Sequence, residues 1–471
     1  MNTPWRTCTN AIFRIHFLPP PRSATRRRAA MKKTHSRWKL LVAGLMLAML
    51  VAGCAPVATT GQSTGAPAAP ERVELIYWRT LTGPAGDAQD ELVEQFNSTQ
   101  DRIHVTSEFQ GSYGDLATNI LAAAAAGSGG PDVSQLGTFE ILEFYKSGVL
   151  ADVRPYLEGE NGIDTSDWPG TMLSAGEFDG GIYWLPFNVA VPVLYYNSDA
   201  FAEAGLDGPP QTWDEFFDYA RRLTVKDASG TVQRYGVAYI PGWFSWALTS
   251  AIWSEGGEIT NRDYTEITLN HPVVVEVLTK FQDLVREGAA IVPDSASGGH
   301  RGMFKNGQAA MILDSPAPFA EIFEQSVGFT PAVANYPAGK AGKVYNPGGG
   351  GIVMLASVPE EKRDAAWEFM RFMLSDKSIA YYAERSGYVA FTPGAQEIAA
   401  EMLQDERYAI IHAAVPYLRG DFSVNFSPAV RTAFDEAWQR ILTDPSVDVK
   451  AVLDEAQVKA EEGIKNEIFA P

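Results

Sequence analysis

Cysteine is nearly missing from this sequence. Its 471 residues hold two, and beyond residue 53 only Cys54 remains. The body of the chain therefore has no internal disulfide, no cysteine-based zinc site and no thiol catalysis, and its fold must stand on its core. Positive charge is short as well, with 38 Lys and Arg against 57 Asp and Glu. Residues 1–53 hold ten Lys/Arg and no acid, so the remainder carries a formal net charge of −29. A body that acidic repels nucleic acid, which proteins bind with basic surface. No apolar run after residue 53 approaches the roughly 20 residues of a spanning helix. There is no H-E-x-x-H and no G-x-x-x-x-G-K-[ST]. His104, His271, His300 and His412 lie far apart without metal-ligand spacing, so neither metal nor cofactor is implied.

The one long apolar run is in "MKKTHSRWKLLVAGLMLAMLVAGC". Lys32, Lys33, Arg37 and Lys39 precede it, and small Ala52 and Gly53 close it, as in the h-region of a secretion signal. Val51-Ala52-Gly53-Cys54 resembles the lipobox of bacterial lipoproteins, with Val in place of the commoner Leu. The resemblance implies that Cys54 becomes a lipid-modified N-terminus, tethering the protein outside the cytoplasmic membrane. Residues 1–30 lie upstream of a better start at Met31, which points to a mis-assigned start codon. Cleavage before Cys54 leaves 418 residues, enough for two domains of about 150 residues or more. The stretch "APVATTGQSTGAPAAPE" then reads as a flexible tether over residues 54–71. Its G-x-S-x-G at 61–65 lacks the preceding strand that a hydrolase serine needs, and is discounted.

From residue 72 strands and helices alternate. "RVELIYW", "RIHVTSEF" and "PDVSQLG" read as strands, while "DAQDELVEQFNSTQ" and "DLATNILAAAAAG" read as helices. This alternation predicts βαβ units and open parallel sheets. Thr212 and Glu215 are spaced as a capping box, with Trp213, Phe216, Phe217 and Ala220 on one helical face. Ser427 and Pro428 predict a helix start. The segment "GGIYWLPFNVAVPVLYYNSDAFAEAGL" reads as a crossing between two lobes, and "YNPGGGGIVMLAS" as a second.

The pieces "PVLYYNSDAFAEAGLDGPPQTWDEF", "MFKNGQAAMIL", "AWEFMRFMLSD" and "SGYVAFTP" span nearly the whole body. In their order and spacing the chain resembles the extracellular solute-binding proteins of bacterial ABC importers, in the group for sugars and polyols. Within it the glycerol-3-phosphate binders are nearest, sharing "PFN…PVLYYN", a "GW…W" pair and a Pro-x-x-Arg near the C-terminus. The resemblance implies a two-lobed α/β fold of the periplasmic-binding type II kind, each lobe a sheet layered by helices, with the ligand cleft between. It implies residues 72–188 and 352–388 in the first lobe, and 189–351 and 389–471 in the second. A monomer partnering permease subunits is expected, tethered to the membrane by its anchor.

Carried over residue by residue, the resemblance implies ligand contacts at Tyr113, the pair Trp243 and Trp246, Tyr388 and Arg431. The residues themselves are suited to this. Tyr113 lies in a turn after a strand, where side chains face a cleft. Arg431 lies in the first turns of the Ser427 helix, suiting a phosphate or paired hydroxyls. The plainer readings are core positions for the aromatics and an ion pair with Asp435 for Arg431. Gly349 and Gly350 are expected to offer backbone N–H groups, and Asp314 and Ser315 to meet sugar hydroxyls. The family's phosphate binders have serines where this chain has Val189-Ala190 and Pro316-Ala317-Pro318. These departures favour a neutral carbohydrate or polyol over glycerol-3-phosphate or its diesters. A lipid-anchored glycosidase is the rival of another class. It needs only two suitably spaced carboxylates, but no other catalytic signature accompanies them.

Overall fold

The computed structural model describes residues 72–469, apart from 241, 243, 262–265 and 420–426. Cys54, the leader, the tether and Trp243 lie outside the described residues. Strands β1 (Val73–Arg79), β2 (Ile103–Phe109) and β3 (Val133–Gly137) alternate with helices, and β4 (Leu185–Ala190) follows. The chain then crosses through Val191 and Pro192 into β5 (Val193–Asn197), β6 (Val232–Ala238), β7 (Ala290–Ile291), β8 (Ala309–Asp314) and β9 (Pro331–Asn335). It returns as β10 (Gly348–Met354).

Two sheets result. The first runs β2-β1-β3-β10-β4, and the second runs β7-β6-β8-β5-β9 with the short strand Val225–Lys226 paired to β6 outside that path. Neither is wholly parallel, although the alternation predicts parallel sheets. β10 lies antiparallel to both β3 and β4, and β5 lies antiparallel to both β8 and β9. The reversal follows from the crossings: a strand entering from the other lobe runs against those wound within its own. The lobe division expected at 188/189 and 351/352 falls inside β4 and β10, because the first sheet takes in Val189, Ala190 and Gly348–Gly351. A third crossing runs through Val389, whose N–H bonds to Val189 O at 3.1 Å.

Local chemistry sets the helix starts. Thr212 and Glu215 form the expected capping box, and Ser427 caps Pro428–Thr443 by accepting from Val430 N. A second box, Ser112 with Asp115, starts a helix at Tyr113, so Tyr113 occupies the first helical turn and not the loop before it. Trp213, Phe216, Phe217, Tyr239, Phe244 and Phe281 meet edge-on and stacked beneath the second sheet. Each such buried side chain contributes about 1.5–3 kcal/mol, so most of the aromatic content is core. Among the described residues no helix is long and apolar enough to cross a membrane.

Candidate functional site

The four glycines of β10 sit between the two lobes' aromatic side chains. A Cβ on Gly348 would come within 3.1 Å of the Trp246 indole, and one on Gly350 within 2.9 Å of the Tyr113 hydroxyl. Gly349, at φ +90°, would drive its Cβ into the Asn188 carbonyl oxygen. What Gly349 and Gly350 provide is close approach inside a strand paired on both sides, a different role from the backbone donors expected of them. Trp246 itself is buried on Ser245–Ser254, a helix with every residue buried.

Asn188 ties this wall together. Its Nδ2 donates to the Tyr113 hydroxyl at 2.7 Å, and its Oδ1 accepts from Gln135 Nε2 at 2.7 Å. Gln135 Oε1 accepts in turn from Thr80 N at 2.9 Å. Tyr388 sits against the same Asn188 side chain: burial pushes its phenol up to about 12, and the Asn188 hydrogen bond opposes this. Burial likewise pushes the Tyr113 phenol well above its ordinary range. Both therefore stay neutral donors at physiological pH. Tyr113, Gly349, Gly350, Trp246 and Tyr388 are thus brought together. Asn188 and Gln135 escaped the sequence reading, although the "PFN" of the first crossing carried Asn188 in plain view.

Arg431 reaches across from the second lobe. Its Nη1 donates to the Phe139 carbonyl at 3.1 Å and lies 3.9 Å from Glu140 Oε1, in the turn after β3. Asp435, the partner that spacing suggests for Arg431, instead accepts from Trp438 Nε1 at 2.8 Å.

Asp314 does not meet the expectation that it binds a ligand. It is fully buried, with Arg301 Nε at 2.7 Å and Nη2 at 2.9 Å, His300 Nε2 at 2.7 Å and Ser315 N at 2.6 Å. Burial opposes its charge, but Arg301 and His300 hold its carboxyl well below the usual carboxylate range. Both oxygens are spent on the second lobe's own structure. Ser315 is buried too, its Oγ accepting from Ala317 N at 3.3 Å and its carbonyl from the Tyr195 hydroxyl. Asp314 instead positions Arg301, which does face the space between the lobes.

That space includes a cavity of about 830 Å³, lined by Thr82, Phe109 and Tyr113 of the first lobe and by Arg301, Phe319 and Tyr408 of the second. Several buried polar groups of the chain find no partner among the described residues: Thr138 Oγ1, Glu140 Oε2 and both side-chain polar atoms of Asn346. An unmet buried polar group costs about 1–3 kcal/mol, and none of these three residues lines the cavity of about 830 Å³.

Residues 82–380 match the family model described as bacterial extracellular solute-binding protein. The chain belongs to that family. As a solute-binding protein of the ABC-importer type it is similar to sn-glycerol-3-phosphate-binding periplasmic proteins. The one from Brucella melitensis is 26% identical over 69% of this chain and 76% of its own length. The one from Agrobacterium fabrum is 25% identical over 83% of this chain and 92% of its own length. Among solved structures, UgpB from Mycobacterium tuberculosis in complex with glycerophosphocholine superposes with a TM-score of 0.75 at 24% identity, covering 85% of this chain and all of that one. An ABC substrate-binding protein from Listeria monocytogenes in complex with cycloalternan gives 0.71 at 23%, covering 84% of this chain and all of that one. The solute-binding protein thus shares the two-lobed fold of both.

Proposed function

We propose that this solute-binding protein captures a neutral carbohydrate or polyol by lobe closure and delivers it to the permease of an ABC importer, tethered by a lipid on Cys54. The observation that carries the ligand class is the composition of the cleft wall. Tyr113, Asn188, Gln135 and Tyr388 are uncharged donors and acceptors gathered beside the β10 glycines, and the charges nearest them, Glu140 and Arg431, face each other. Hydroxyls around a C–H face need that mixture. Val189 and Ala190 are buried in β4 beside Gly348 and Gly349, and they add no hydroxyl where the family's phosphate binders have serines. The cavity of about 830 Å³, which Tyr113 lines together with Arg301, Glu321 and Arg385, has room for more than a three-carbon ester. Solved relatives named as binding cycloalternan, mannobiose and ribitol support the class.

A ligand must touch both lobes to favour closure, since only differential affinity shifts a conformational equilibrium. The reading is of binding without turnover, the alternative class being a glycosidase. A glycerol-3-phosphate or glycerophosphodiester ligand is the second reading, favoured by Arg431 and by the names of the curated relatives.

A thermal-shift screen of residues 71–471 tests both, since a ligand that binds only the folded state raises the melting temperature. The expected result is a shift with a neutral sugar or polyol, lost in Trp243→Ala, with the sugar recovered unchanged. A shift confined to glycerol-3-phosphate and lost in Arg431→Ala replaces this reading with the second.

A further inference from the structure

Taken alone, Arg431 would make the cleft a site for an anion. It is not alone. Glu140 meets it from the opposite lobe at 3.9 Å, its side chain only 13% exposed and its Oε2 sealed from solvent with no partner among the described residues. The carboxylate lies directly over Gly137, where a Cβ would collide with Oε2 and would come within 3.0 Å of the Tyr113 ring. Glycine at 137 therefore makes the room that brings Glu140 and Tyr113 side by side on one wall.

We infer that Glu140 is a specificity-determining residue, which neutralises Arg431 across the cleft and selects a hydroxylated, uncharged ligand over a phosphate ester. This rests on the reading of the protein as a solute receptor and deepens it. The two groups belong to different lobes, so their pairing is a property of the cleft and not of either lobe's fold. A neutral hydroxyl accepts from the guanidinium without adding charge beside Glu140. An ionised phosphate presents only acceptors, setting lone pairs and negative charge against Glu140. Asp435, four residues beyond Arg431 on the same helix, adds a second negative group near the same guanidinium.

The test is calorimetric titration of the purified protein and of Glu140→Gln, each with glycerol-3-phosphate and with a panel of maltose, mannobiose and ribitol. Glu140→Gln keeps the side-chain shape and removes the charge. The expected result is weak or unmeasurable binding of glycerol-3-phosphate to the parent, and at least a tenfold gain in Glu140→Gln. That gain should vanish in Glu140→Gln combined with Arg431→Gln. Glu140→Ala in the same titration keeps the test decisive should the glutamine variant not fold. Unchanged or weaker glycerol-3-phosphate binding in a folded Glu140 variant, with the neutral panel still bound by the parent, overturns the role of Glu140 alone. Tight glycerol-3-phosphate binding by the parent, with no neutral ligand bound, overturns the neutral-ligand reading together with this inference.

Discussion

The Asn188 amide donates to the Tyr113 hydroxyl at 2.7 Å, joining the first crossing strand to the first turn of a helix that begins 75 residues earlier. Both groups also engage Gln135, so one buried amide holds three chain segments in register at the wall of the cleft.

Asn188→Ala should therefore leave the Gln135 amide and the Tyr113 phenol short of partners in a buried setting. The expected cost is about 1–3 kcal/mol of stability, read from urea unfolding. Ligand affinity should fall as well, since Tyr113 and Tyr388 lose the group they share.

The glycines of β10 should rank by what a methyl would meet. Among Gly348, Gly349 and Gly350, Gly349→Ala should be the most damaging, combining φ +90° with a collision at the Asn188 carbonyl. Gly350→Ala, at 2.8 Å from the Leu136 carbonyl and 2.9 Å from the Tyr113 hydroxyl, should cost about 1–3 kcal/mol. Gly348→Ala, at 3.1 Å from the Trp246 ring, should be mildest. Melting temperatures of the three variants check the order.

Asp314 should matter for folding more than for ligand contact. Removing one partner of a buried ion pair costs about 3–5 kcal/mol, and Asp314→Asn should lose stability on that scale. The carboxyl is held below its unfolded value of about 3.9, so its contribution is complete above that pH. It is lost as pH falls further, towards the folded value. Acid-unfolding curves of the parent and Asp314→Asn should converge at low pH.

Glu140 should confer a pH dependence on anion binding. Burial pushes its carboxyl up and Arg431 opposes this, while Glu143 on its own segment adds to the rise. The groups facing it are Arg431 from the second lobe, with Asp435 behind, and the neutral Tyr113 phenol. As pH falls through a value above the ordinary glutamate range, Glu140 takes a proton and Arg431 is left uncompensated. Affinity for a glycerophosphodiester, whose own charge stays constant there, should rise on acidification. Titrations across pH should show this slope in the parent and lose it in Glu140→Gln.

Cys54→Ala should release the protein from membranes. Fractionation with mass spectrometry of the mature N-terminus checks both the cleavage and the lipid.

Much of the framework was legible because it depends on near neighbours. The Thr212–Glu215 and Ser427 caps were readable, since a cap needs only a few consecutive residues. Tyr113 opens its helix two positions before the expected start at Asp115, because the Ser112–Asp115 box caps it there. The sheets' mixed direction was hidden, since strand polarity is set by which lobe the chain enters from and not by local pattern. Asp314 looked like a ligand residue because an acid beside a serine suits hydroxyls. Its consumption by Arg301 and His300 depends on a helix packing back on its own strand.

By itself the sequence determined the acidic, cysteine-poor body, the family and the aromatic core, because these follow from composition, motif and short-range spacing. Only the tertiary structure decided that Asn188 links Tyr113 to Gln135, that the β10 glycines make room for aromatic rings, and that Glu140 faces Arg431. Those relations join residues up to 291 positions apart in two lobes, and no periodicity in one chain encodes which side chains two lobes bring face to face.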